Sequence, residues 1–219
     1  MTLVPYTALL QQFKSPPAGK LYCLHGDRSV FRVSLYAASH ALLGGHSVAL
    51  VDGSHRFDLY YLAEVARRMA TNAGVPNTRM TPEQLLERIY VSRAFTCYQM
   101  EATITERLPR FVSEHRTPIV MIFGLLDTFY DEQAPLFEVR ASLQRILAAL
   151  RALKQAERSL LLASLDMQPA SKGREMLFPT LCSAMDEVFL IVRQEETLRI
   201  QRETKQHTGK YVRARPIHP

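Results

Sequence analysis

Lys20-Leu21-Tyr22-Cys23-Leu24-His25-Gly26-Asp27-Arg28-Ser29-Val30-Phe31-Arg32-Val33 is the stretch on which the fold turns. Its first five residues form an apolar run of strand length, and the residues after Asp27 open a helical pattern. A turn with glycine between strand and helix is where a phosphate-binding loop operates, in the order G-x-x-x-x-G-K-[ST]. Gly26 holds the first glycine position, but Phe31, Arg32 and Val33 stand where glycine, lysine and the hydroxyl residue belong. Each replacement removes a function. A phenyl ring crowds the approach of backbone amides to phosphate. Arginine keeps the charge without the compact ammonium, and valine offers magnesium no oxygen. Phe31 reads as core filling the vacated space, and Arg32 retains a charge able to hold a phosphate or sulfate at the helix N-terminus.

The chain on either side supports an α/β fold. Short apolar runs at Lys20–Leu24, Ser47–Asp52, Ile89–Ser92, Pro118–Phe123 and Leu160–Leu165 suit strands buried on both faces of a parallel sheet. Segments of helix length lie between them. Phe57–Gly74 is one, closing on glycine. Thr81-Pro82-Glu83-Gln84 starts another, with threonine as N-cap, proline first and glutamine completing a capping box. Cys97–His115 is a third, with a kink expected at Pro109. Leu136–Arg158 is the clearest. Leu136, Val139, Leu143, Ile146, Leu147, Leu150 and Leu153 recur on one face, and Arg140, Arg145, Arg151, Lys154 and Arg158 read as a solvated one. Near the end, Glu187–Arg193 and Thr197–Arg202 with a short joint predict an antiparallel hairpin at one sheet edge. Asp166–Thr180, with two prolines and Gly173, reads as a mobile loop.

Bulk properties bound the class. With 219 residues, 47% of them hydrophobic, the chain can bury the core of one α/β domain. It has no apolar run of about 18 residues, and residues 1–14 lack signal-peptide order, so a cytoplasmic protein off the membrane is expected. Cys23, Cys97 and Cys182 are too dispersed for a disulfide framework or metal site, and read as buried thiols. The seven histidines show no metal-ligand spacing, and no serine sits in a nucleophile elbow. Asp52, at a strand end, reads as the cap of the next turn. A net charge of +6 favours acidic partners such as nucleic acid.

Three of these segments together resemble the RecA-like recombinase core, in particular RadA-type recombinases and their paralogues. Leu24-His25-Gly26-Asp27-Arg28 is similar to that family's strand entering its phosphate loop. Val48-Ala49-Leu50-Val51-Asp52, followed by Phe57, is similar to the strand that ends near the catalytic glutamate. Ile89-Tyr90-Val91-Ser92-Arg93-Ala94-Phe95 with Gln99 is similar to the family's strand, R-A-F and downstream glutamine. The resemblance implies a RecA-like core over 18–203, an N-terminal extension over 1–17 too short for the family's DNA-binding domain, and a basic tail over 204–219. It also implies losses beyond the degenerate loop of Gly26, Phe31, Arg32 and Val33. Ser54 stands near the glutamate's place. Phe123 and Gly124 stand where the magnesium-binding aspartate should end its strand, with Asp127 and Asp131 in the loop beyond. Without lysine, hydroxyl, base and aspartate, phosphoryl transfer loses its positioning and its electrostatics. The expectation is therefore a pseudo-ATPase with no catalytic residue, no cofactor and no metal.

The expected role is that of a DNA-binding or recombinase-accessory factor in repair or recombination. Its DNA contacts would come from Lys172 and Arg174 in the loop, and from Lys205, Lys210, Tyr211, Arg213 and Arg215 in the acid-free tail. Asp131, Glu132 and Glu138 oppose a second DNA-facing loop near 130–138. The alternatives are a module that binds an active ATPase, another repair protein or a translesion-synthesis factor through helix 136–158 or the hairpin edge near Thr197, and a domain that senses nucleotide without hydrolysis. Assembly into oligomers is compatible with each.

Overall fold

The computed structural model describes residues 2–3, 19–72, 81–130, 133–156, 158–165, 173–194 and 197–203. Eight strands form one sheet: β1 (Thr2–Leu3), β2 (Leu21–Gly26), β3 (Val48–Asp52), β4 (Ile89–Arg93), β5 (Ile119–Phe123), β6 (Ser159–Leu165), β7 (Glu187–Gln194) and β8 (Thr197–Glu203). Their spatial order is β1-β8-β7-β2-β6-β5-β3-β4. The six strands from β7 to β4 are parallel. Thus each apolar run forms a strand within a residue or two of its expected bounds, as does the hairpin, whose strands pair antiparallel from Gln194↔Thr197 to Val188↔Glu203. The hairpin is not itself the edge, however. Thr2 and Leu3 pair with Arg202 and Gln201 and cover that end of β8.

Side-chain alternation along the strands sorts the core into two layers. Tyr22, Leu24, Leu50, Met121, Phe123 and Ile191 face α1 (Ser29–Leu43), α2 (Leu59–Asn72) and α3 (Pro82–Leu86). Leu21, Cys23, Val51, Val120, Ile122 and Val188 face α4 (Cys97–Ala102), α5 (Leu108–Glu114), α6 (Leu136–Gln155) and α7 (Leu177–Ser183). The neighbouring strands β2 and β6 therefore send their chains to opposite faces, through α1 and α7. That divergence marks the switch point of the sheet, outside whose carboxyl ends α/β folds place their ligands.

Local chemistry sets the helix ends. Thr81 accepts from Gln84 N–H while Gln84 Oε1 accepts from Thr81 N–H at 3.0 Å, the capping box expected from sequence. Pro109 acts differently from a simple kink. The backbone widens into a π-turn over Thr103–Arg107 just before it, and Leu108 N–H reaches back to Thr103 O. A proline supplies no N–H, and the wider turn resolves the resulting mismatch in the ladder. The stretch read as a mobile loop takes regular structure from Gly173 onward, where its described residues begin. Gly173 turns at φ +88°, a short 3-10 turn spans Arg174–Met176, and α7 follows. On α6 the apolar stripe is buried, but its cations are not simply solvated. Arg145 pairs with Glu101, Lys154 with Asp186, and Arg140 donates to Gly173 O.

Candidate functional site

Gly26 ends β2 at φ +134°, where a Cβ would overlap the carbonyl oxygen of Ile191 on β7. Only glycine permits that close approach. Asp27 then organises the turn: its Oδ1 accepts from Ser29 N–H at 2.7 Å and its Oδ2 from Arg193 N–H at 2.7 Å. The start of α1 is thus served by the protein's own carboxylate, at the place where a helix N-terminus would otherwise meet an anion.

Of the three replaced positions of the loop, two enter the core and one stays outside. Val33 is core. Phe31 is 4% exposed and packs against Phe123, which is fully buried, with ring centroids 5.2 Å apart and planes tilted by 60°. The residue at the second-glycine position and the residue at the end of β5 therefore touch, and their rings form the floor beneath the start of α1. Arg32 is exposed, and its guanidinium lies over the Tyr61 ring, 5.4 Å from its centroid. It reaches towards α2.

At the end of β3, Asp52 is fully buried and accepts from four donors: Ser54 N–H, Ser54 O–H, Arg56 N–H and Phe57 N–H, at 3.0 to 3.2 Å. It shapes the loop into α2, the capping role read from sequence. Gly124, at φ +59°, leaves the space that Ser54 fills, and a Cβ there would lie 2.7 Å from Asp127 Oδ2. Asp127 comes from the loop after β5. Burial pushes its carboxyl up to about 6, with Asp52 adding to the rise and Arg56 opposing it. Asp127 Oδ1 has no hydrogen-bond partner.

Above this floor lies an open cleft of about 950 Å³. Five arginines line it: Arg28 and Arg32 at the start of α1, Arg56 after β3, Arg93 at the end of β4 and Arg193 on β7. The lining carboxylates are Asp27 and Asp58, and both are engaged as caps, Asp58 accepting from Tyr61 N–H at 2.9 Å. Among the described residues Arg28, Arg32, Arg56 and Arg93 form no salt bridge. Tyr60, 87% exposed, also lines the cleft, and Phe95, 64% exposed, packs against the lining residue His55 with centroids 4.8 Å apart. The arrangement gathers positive charge on one face of the cleft, with exposed flat rings near it. Sequence reading singled out Arg32 alone of these cations as a holder of phosphate, because Arg56, Arg93 and Arg193 come from segments far apart in the chain.

Of the residues expected to contact DNA, Arg174 is the one among the described residues. Arg174 is 3% exposed, and its guanidinium donates to the carbonyl oxygens of Phe129 and Ala134. It ties the loop after β5 to the turn before α7 and is not available to a phosphate backbone. Burial with two backbone acceptors accounts for that correction. Lys172, Lys205, Lys210, Tyr211, Arg213 and Arg215 lie outside the described residues. Gln99, the glutamine of the R-A-F segment, accepts from Phe95 N–H and with Thr96 caps α4. Glu138 accepts from Tyr98 O–H, which raises the Tyr98 hydroxyl to about 12.

Compared with known proteins, the chain matches no family model and no curated sequence. Among the described residues no helix is long and apolar enough to cross a membrane, and no cluster of His, Cys, Asp or Glu is arranged to hold a metal ion.

Proposed function

We propose that the chain is a non-catalytic paralogue of the RecA-like recombinases, a pseudo-ATPase that acts by binding, as a DNA-binding or recombinase-accessory factor in repair or recombination. The observation that carries this reading is the contact between Phe31 and Phe123. Two positions that a working site needs open, one for phosphate and one for a magnesium-bound aspartate, are both aromatic and packed together. The two rings put apolar surface where phosphate and magnesium need polar partners, and catalysis of phosphoryl transfer is positioning and electrostatics at that very place. The start of α1, already met by Asp27, supports the same reading. The test is phosphate release from ATP by the purified chain with magnesium. The expected outcome is no turnover above a mock preparation. Magnesium-dependent turnover that Arg32→Ala abolishes would overturn it.

A second reading, a module that docks a protein partner such as an active ATPase, is favoured by the outer edge of β4. Tyr90 and Val91 are partly exposed there, above an apolar groove of about 230 Å³ that Leu108 and Phe111 help to line. An unpaired strand edge of this kind accepts an extended peptide. Co-purification with a partner that Val91→Lys releases would support it, and indifference to that change would count against it.

A further inference from the structure

We infer that the arginine-lined cleft at the carboxyl edge of the sheet is a binding track for single-stranded nucleic acid, a proposal that rests on the non-catalytic reading above and gives the emptied site a new ligand. The strand order places the five arginines in a row. Arg193 lies near the end of β7, Arg28 and Arg32 follow β2, Arg56 follows β3 and Arg93 ends β4. From β7 to β4 the sheet crosses five strand spacings, a distance of about 24 Å. Charge drawn out over such a length matches a phosphate backbone better than the compact triphosphate of one nucleotide. The floor points the same way, since Phe31, backed by the buried Phe123, gives the cleft an apolar base where the phosphates of a nucleotide would need polar partners.

The uncharged part of the rim selects the strand form. Tyr60 lines the cleft with an exposed ring, and Phe95, next but one to Arg93 in the chain, presents a second one packed on the lining residue His55. Rings interleaved with cations bind unpaired bases by stacking while the guanidinium groups hold the phosphates. A duplex keeps its bases stacked on one another and offers the rings nothing. The two carboxylates of the lining do not cancel the attraction, because Asp27 and Asp58 already face backbone N–H groups. The C-terminal cations belong to a different stretch of the chain, so substitution and truncation address the two sources of affinity one at a time.

The experiment is a fluorescence-anisotropy titration of the full chain at several salt concentrations. The probes are a labelled oligothymidylate of about 12 nucleotides, an oligouridylate of equal length and a duplex of that length. The intact protein should bind one of the single strands more tightly than the duplex, and the tighter of the two identifies DNA or RNA as the source. The triple change Arg32→Ala, Arg56→Ala, Arg93→Ala should weaken binding by at least about tenfold and flatten the salt dependence by about two phosphate-equivalents. Tyr60→Ala with Phe95→Ala should weaken it by at least about fivefold and leave the salt slope unchanged. All these side chains are exposed, and an unchanged thermal melt checks the fold; the three-lysine version should regain most of the affinity. Arginine variants that bind as the intact protein does would overturn the inference, as would displacement of the oligonucleotide by an equal concentration of inorganic triphosphate. If only deletion of 205–219 abolishes binding, the DNA-binding reading stands and the cleft falls. ATP turnover decides the non-catalytic reading independently.

Discussion

The floor and the rim of one cleft are built from opposite chemistry. The floor is two phenylalanines in contact, with Val33 and the end of β5 in the same core layer. The rim carries five arginines with exposed rings between them. In a nucleotide-hydrolysing site the floor must be polar and open, because phosphate and magnesium sit there. Here the floor is ordinary core, held by the packing that holds the rest of the sheet. The rim is charged, and charge on an exposed rim adds nothing to a core. Packing and exposed charge thus occupy successive levels of one cleft.

This contrast can be broken by substitution, and the largest effect is expected at the floor. Phe123→Ala removes a fully buried ring and should cost about 3–5 kcal/mol of stability in urea unfolding. A loss below about 1 kcal/mol would mean the floor is not core. Rim changes such as Arg56→Ala should stay within about 0.5 kcal/mol in the same assay.

Asp127, beside the floor, sharpens the contrast through pH. Its carboxyl sits at about 6 in the folded chain against an ordinary 3.8, so the folded state holds the proton more tightly than the unfolded state does. The group's contribution is fully present below about pH 4 and is lost as pH rises through 6, amounting to at most about 3 kcal/mol. Asp127→Asn should therefore flatten the stability profile between pH 4 and 6 and leave a more stable protein at pH 8. An unchanged profile would show that Asp127 is not desolvated. The smallest effect is expected at Thr81, whose capping box serves α3. Thr81→Ala should cost about 1 kcal/mol and leave oligonucleotide affinity unchanged.

Much of this fold can be read along the chain, because its strongest signals are local. Continuous apolar runs mark strands covered on both faces, and Thr81-Pro82-Glu83-Gln84 states its own cap. What is not local is harder to read. Thr2 and Leu3 are too short to announce a strand, and only the far end of the chain gives them a partner in β8. Arg174 looks solvated in a stretch of loop residues, yet it is buried because Phe129 and Ala134 offer carbonyl oxygens from the loop after β5. Pro109 promised a break, and the widened turn it received depends on the helix around it. The rim is the extreme case. Arg28, Arg56, Arg93 and Arg193 are ordinary surface residues one at a time, and they form a row only through the order of the strands. By contrast the burial of Phe31 was legible, since a phenylalanine opening the helix after Gly26 reads as core.

Thermal melting of the intact chain with ATP, in the presence and absence of magnesium, tests most directly whether the floor is closed. A ligand that binds only the folded state raises the melting temperature in proportion to RT ln(1 + [L]/Kd). Arginines on a rim can hold a triphosphate weakly whether or not magnesium is present, whereas a functioning floor binds the magnesium complex. The account expects no magnesium-dependent shift at millimolar ATP. A shift that appears only with magnesium and disappears in Arg32→Ala would show that the site beneath the arginines is still open to nucleotide.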